Sequence, residues 1–276
     1  MSQDATYLRF AANLIERSEY RFLVIGGLAR AGTSSCERLL HAVPSLFVAD
    51  EFHGLIEETY LSSLAYLRTY AGAEASVWTD AGGLTWRELG LEDLLQRQRT
   101  VFTTSLMAYT RPSKFSGKDP ARIKYLAVKL PGIENALLQL GSALSDTPIP
   151  LVYCCRRPVE ILNSHWQMPW VKETDPDLFA NDIREKLRRS VESFKAIVAS
   201  GWPTFVWRTP ADSRTMIDAA RFLGLADEPS LSLQTPLIDE WPPDRRRQVT
   251  QIPTDTLKRF AETDIATEYV GRFLMG

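Results

Sequence analysis

The chain has 276 residues, 45% of them hydrophobic and 24% charged, and its 32 Lys and Arg against 34 Asp and Glu give a formal net charge of −2. At this length roughly 75% of the unfolded surface can be buried, so no disulfide or metal staple is required, and the mixed composition excludes disorder, collagen-like repeats and low complexity. The near-balanced charge argues against nucleic acid as a partner and requires any anionic ligand to be held by a local basic site.

The N-terminal MSQDATYLRF has no long apolar stretch, so no signal peptide is expected. RFLVIGG (21–27) is a β-branched apolar run ending in a glycine pair and predicts a buried parallel strand. After LARAGTSS, the segment CERLLHAV has helical spacing and Pro44 ends it. Residues 55–70 and 91–110 are expected to be mostly helical, and RPSKFSGKDP (111–120) a surface loop. IKYLAVKL (123–130) predicts a second strand and PGIENALLQLGSAL a helix with Pro131 in its first turn. PIPLVYCC (148–155) predicts a third strand, RRPVEILNSHW a helix, 176–199 a long amphipathic helix, PTFVWR (203–208) a fourth strand, and 254–274 a helical tail.

Strands alternating with helices give an α/β class: a P-loop-like three-layer fold with a central, mostly parallel sheet flanked by helices. With no repeat or linker, residues 1–276 are read as one domain, with 52–120 an acceptor-shaping helical insertion. Cys36, Cys154 and Cys155 make neither a disulfide framework nor a CxxC pair, and His41, His53 and His165 form no HExxH pattern, so no metal is expected. No apolar run approaches the ~18 residues of a membrane span, so a cytoplasmic location is expected.

Gly27-Leu-Ala-Arg-Ala-Gly32-Thr33-Ser34 has the spacing of a phosphate-binding P-loop between a strand and a helix, with Thr33 where the lysine would stand. Glycines permit the tight turn, and free N–H groups at the helix start attract an anion. Thr33, Ser34 and Ser35 add hydroxyls and Arg30 a fixed charge. Nucleotide hydrolases place the missing lysine on phosphates beside Mg²⁺, which a downstream Asp helps to hold. Here the third strand ends in Arg156-Arg157, so the loop is suited to an anion without a metal. In open α/β sheets ligands sit at the carboxyl ends of strands. Arg156 and Arg157, with Ser164 on the following helix, are placed there to clamp a second phosphate.

Together these segments resemble the sulfotransferases that use 3′-phosphoadenosine 5′-phosphosulfate (PAPS). Arg30-Ala31-Gly32-Thr33-Ser34 is similar to that family's 5′-phosphosulfate loop, and Arg156-Arg157-Pro158 through Ser164 to its 3′-phosphate motif. HAVPSLFVADE, LAVKLPG and the late segment ending in FLGL also resemble family segments, and the match is closer to the bacterial and Golgi-type branches, including tyrosylprotein and carbohydrate sulfotransferases. Thr209-Pro210 stands where the family usually has an acidic residue.

The resemblance implies an enzyme moving a sulfuryl group from PAPS to a hydroxyl or amine of a small molecule or glycan, with 3′,5′-ADP as product and no metal. It implies that Arg30 and the amides from Ala31 and Gly32 to Thr33, Ser34 and Ser35 hold the 5′-phosphosulfate. Arg156 and Ser164 would hold the 3′-phosphate. Glu51, 21 residues after Arg30, matches the place of a catalytic glutamate, with Asp50 and His53 as the other candidate bases. Lys129 matches the lysine of the family's K-x-P block. Trp78, Trp86, Trp166 and Trp170 supply aromatic surface for an acceptor, and Arg245-Arg246-Arg247 is a further basic run. A P-loop kinase or NTPase with an altered lysine, and a non-catalytic sulfonucleotide-binding protein, are the competing readings.

Overall fold

The structure is a computed structural model that describes residues 3–17, 19–51, 86–138, 147–226 and 251–275, with 141 and 145 between. Its elements in order are α1 (Gln3–Arg17), β1 (Arg21–Gly26), α2 (Thr33–Ala42), β2 (Leu46–Val48), α3 (Trp86–Tyr109), β3 (Tyr125–Lys129), β4 (Leu151–Cys155), α4 (Pro158–Trp166), α5 (Pro176–Ala199), β5 (Thr204–Arg208), α6 (Ser213–Phe222), α7 (Thr254–Ala261) and α8 (Asp264–Phe273).

The strands form one sheet of order β2-β3-β1-β4-β5, and every pairing is parallel. All residues of β3 and β4, and all of β1 after Arg21, are buried, as expected of parallel strands covered on both faces. Phe22 and Val24 of β1 face a core with α1, α3, α4, α5, α7 and α8, whereas Leu23 and Ile25 face α2 and α6. From β1 the chain first runs to β2 and β3 on one side, then to β4 and β5 on the other. The order therefore reverses at β1, and the crevice above that reversal is where such sheets bind ligands.

Several expectations are corrected. β2 is an edge strand of three residues, too short for its periodicity to register. The segment after Pro131 begins not as a helix but as a 3-10 turn at Ile133–Asn135, preceded by Gly132 in the left-handed region, and 137, 138 and 141 beyond it are helical. The expected surface loop at 111–120 contains one 3-10 turn, Pro112–Phe115, a second, Pro120–Arg122, begins at its last residue, and lysines fasten the loop to the sheet. The Lys118 ammonium donates to the carbonyls of His41 and Val43 at the end of α2 and of Leu46 in β2, tying the helix end to the sheet edge. The helical tail is two helices, and Thr263 between them caps α8 by accepting from the Ala266 N–H.

The segment 52–85 lies outside the described residues. Beyond it, α3 contributes Phe102 and Leu106 to the core, and the Arg99 guanidinium stacks 4.4 Å above the Tyr20 ring. All three cysteines are buried and free. Among the described residues no helix is long and apolar enough to cross a membrane.

Candidate functional site

The glycine loop leaves β1 at the point where strand order reverses, and its backbone is forced. Gly27 has φ 114°, and a Cβ there would lie 2.3 Å from the Cys154 carbonyl oxygen. Gly32 has φ 102°, and a Cβ there would lie 2.0 Å from Thr209 Oγ1. Thr209 in turn donates its hydroxyl to the Ala31 carbonyl at 3.1 Å, tying the loop to the end of β5. No side chain caps α2, so the first-turn amides of Thr33, Ser34 and Ser35 keep the donor capacity and the positive end of the helix dipole that an anion needs. Thr33 and Ser35 are buried, and Ser34 is half-buried.

Arg30 is the one described non-glycine residue with positive φ, 71°. A left-handed L-residue costs about 1 kcal/mol or more, and here that conformation aims the side chain across the loop. Arg30 Nε donates to Ser164 Oγ at 2.9 Å, joining residues 134 positions apart. The two expected phosphate motifs therefore meet at one place. They line a cavity of about 360 Å³ with Arg156, Glu160 and Asn163. Arg156 Nε donates to Glu160 Oε2 at 2.7 Å, which engages one of its five N–H donors. Arg157 is exposed at the start of α4 and does not line this cavity.

On the other side of the loop a chain of alternating charges is built. Lys129, 4% exposed at the end of β3, has its ammonium on Glu51 Oε2, 3.3 Å from Glu37 Oε2 and 3.4 Å from Ser34 Oγ. The other Glu37 oxygen is held by Lys114, whose Nζ lies 3.2 Å from Asp50 Oδ1. Arg111 closes the series by holding both Asp50 oxygens, at 2.7 and 2.9 Å. Three cations thus alternate with three carboxylates. Glu51 is the open end, with its side chain 31% exposed.

Asp50, the first alternative base, is committed to Arg111 and Lys114. Burial works to raise its carboxyl, but the Arg111 donors and the Lys114 ammonium outweigh it and bring it from 3.8 down to about 2. The folded value lies below the unfolded one, so this contribution is fully present above about pH 4 and lost as pH falls through about 2. Because Arg111 is solvent-exposed, it amounts to about 1 kcal/mol after allowance for screening. Thermal unfolding of Asp50→Asn should therefore lie below wild type at pH 5, with the gap closing toward pH 2. An equal gap at both pH values would contradict the assignment.

His53, Trp78 and Arg245-Arg246-Arg247 lie outside the described residues, as does the side chain of Trp86. Trp166 is 4% exposed and packs on Phe179, so it belongs to the core rather than to an acceptor surface, whereas Trp170 is exposed. His41 is brought down to about 4, by burial first and then by Lys118 and Lys114. As a neutral ring it accepts from the Val48 N–H at Nδ1 and donates from Nε2 to the Lys114 carbonyl, a structural role.

Four groups at the site carry no motif. Glu37, Lys114 and Arg111 join by ion pairs distant in sequence, and the basic residues of 111–120 were their only visible sign. Glu134 is fully buried beneath the loop and accepts from the Gly27 N–H at 2.9 Å and from the Ser190 hydroxyl, while burial pushes its carboxyl up. Among the described residues no group of three or more His, Cys, Asp or Glu is arranged to hold a metal ion.

No protein-family model and no curated protein matches the chain. Two sulfotransferases are among the solved structures to which it is similar. One is the sulfotransferase domain of the Synechococcus PCC 7002 olefin synthase, at 15% identity and a TM-score of 0.47, over 92% of this chain and 95% of that one. The other is the sulfotransferase STF9 from Mycobacterium avium, at 17% identity and a TM-score of 0.43, over 99% of this chain and 81% of that one.

Proposed function

We propose that the protein is a sulfotransferase that moves a sulfuryl group from PAPS to a hydroxyl of a small acceptor. The observation that carries this reading is the Arg30–Ser164 hydrogen bond, which joins the glycine loop to the helix after Arg156 beside a cavity that Arg30, Arg156 and Ser164 all line. A 5′-phosphosulfate needs the helix N-terminus, the Ser34 hydroxyl and the Arg30 charge. A 3′-phosphate needs a second cationic clamp within a nucleotide's length, and Arg156 supplies it on the same cavity wall.

In the transfer, a bond forms between the acceptor oxygen and sulfur while the bond from sulfur to the 5′-phosphate bridge oxygen breaks. The electron pair departs on that oxygen, giving 3′,5′-ADP, and the hydroxyl proton passes to the Glu51 carboxylate. Positioning and charge stabilisation supply the rate. Arg30 and the loop amides face the equatorial sulfuryl oxygens. Lys129, already between Glu51 and Ser34, moves its charge toward the bridge oxygen as that charge builds, which frees Glu51 to accept the proton.

Calorimetry and thermal unfolding with 3′,5′-ADP, 5′-AMP and Mg-ATP test the donor. At about 100 times its dissociation constant, 3′,5′-ADP should add roughly 2.7 kcal/mol of stability, and 5′-AMP far less. Arg156→Ala should weaken 3′,5′-ADP binding by roughly 1.5–3 kcal/mol, the worth of hydrogen bonds to a charged group, and Arg157→Ala by less. Equal stabilisation by both nucleotides, or tighter Mg-ATP binding, would overturn the PAPS assignment.

A further inference from the structure

A second cavity, of about 260 Å³, lies between Leu28-Ala29 of the loop and the Pro131-Gly132 turn that follows Lys129. The turn is stitched to the loop by the Gly132 N–H donating to the Gly27 carbonyl at 2.9 Å. The two cavities share no lining residue, yet their linings are neighbours in sequence. Ala29 and His165 face this one, Arg30 and Ser164 the other. Residues flanking the Arg30–Ser164 bond thus line the second cavity, and the anion loop borders both.

The chemistry of the two cavities differs. The arginine-lined cavity is polar. The second has an apolar floor of Leu28, Ile161 and Ile183, all buried, and Lys186 and Arg189 of α5 at its rim. Lys186 is shared with Asp182 at 2.7 Å, whereas Arg189 has no acidic partner among the described residues, so the rim carries an excess positive charge. His165 registers that field: burial first, then Lys186 and Arg30, bring its ring down to about 4, so the wall is a neutral hydrogen-bonding group. The volume is at or below the small end of ligand cavities and suits a single ring or short chain rather than a nucleotide.

We propose that this cavity takes the acceptor, and that the acceptor is an amphiphilic anion: an aryl or alkyl body with the reacting hydroxyl at the loop end and a carboxylate at the Arg189–Lys186 rim. The apolar floor holds the body, His165 offers a polar contact along it, and the rim charge selects the anion. The step is the transfer written above, on which the role of acceptor rests; binding to the cavity does not depend on it.

The test is calorimetry on the full chain, with and without 3′,5′-ADP, using matched carboxylate and alcohol pairs: 4-hydroxyphenylacetate against 2-(4-hydroxyphenyl)ethanol, and 8-hydroxyoctanoate against octane-1,8-diol. At low salt at least one carboxylate should bind ten-fold or more tighter than its alcohol. The double variant Lys186→Ala/Arg189→Ala changes two exposed side chains and should abolish that preference while leaving the alcohol's affinity and 3′,5′-ADP binding intact. Equal affinity within both pairs, or a preference that survives in the double variant, overturns the proposal. A carboxylate preference lost in the double variant supports the cavity even if 3′,5′-ADP does not bind, a result that would count against the PAPS donor alone.

Discussion

Lys129→Met should cost about 3 kcal/mol of folding stability, at the lower end of what removing one partner of a buried ion pair costs. The methionine fills the lysine's stem volume but leaves Glu37 and Glu51 without the ammonium between them. The cost is held down because Lys114 still neutralises Glu37 and because Glu51 reaches water. For a chain of this size that is a fall in midpoint of roughly 6 °C. Pairing the change with Glu37→Gln should recover part of the loss, since the second substitution removes a carboxylate that the first left under-compensated, and a double-mutant cycle reads the coupling directly. Additive costs, or a single-variant loss below about 1 kcal/mol, would mean that Lys129 is not the centre of the charge series.

The strands at the heart of this network were legible because parallel strands buried on both faces leave unbroken apolar runs, as in FLVIG and LVYCC. The three-residue β2 left no such trace, although its end delivers Ala49, Asp50 and Glu51 to the site. The turn after Pro131 carries apolar residues at helix-like spacing. That spacing reflects packing of Ile133 and Leu137 into the core: left-handed Gly132 sets a 3-10 turn over the first residues, and 137, 138 and 141 are helical. At the site, Arg30 and Ser164 could be read from motif spacing, which is local. Glu37, Lys114 and Arg111 could not, because an ion pair between residues 61 to 92 positions apart imposes no pattern on either segment. Thr209 was visible only as a departure from a resembling pattern. Its contact with Gly32 gives that departure a physical content: a small hydroxyl fits against a residue that has no Cβ.

Glu51→Gln is expected to reduce sulfuryl transfer by about 10²–10⁴-fold, the usual worth of a general base, while 3′,5′-ADP binds as before. The substitution keeps the size of the side chain and an oxygen for Lys129 but removes the proton acceptor. Glu51 is the most exposed of the three carboxylates in the series, whereas Asp50 lies between Arg111 and Lys114 and Glu37 between two lysines. Asp50→Asn should consequently change turnover far less. Arg30→Ala should lose donor affinity together with rate, because it removes the charge on the loop and its bond to Ser164. Single-turnover transfer from PAPS, measured beside 3′,5′-ADP affinity for each folded variant, separates these outcomes. Near-normal turnover in Glu51→Gln would take the proton-accepting role from the open end of the series. It would leave the loop with Arg30, and Arg156 beyond β4, which rest on other contacts, as the anion site.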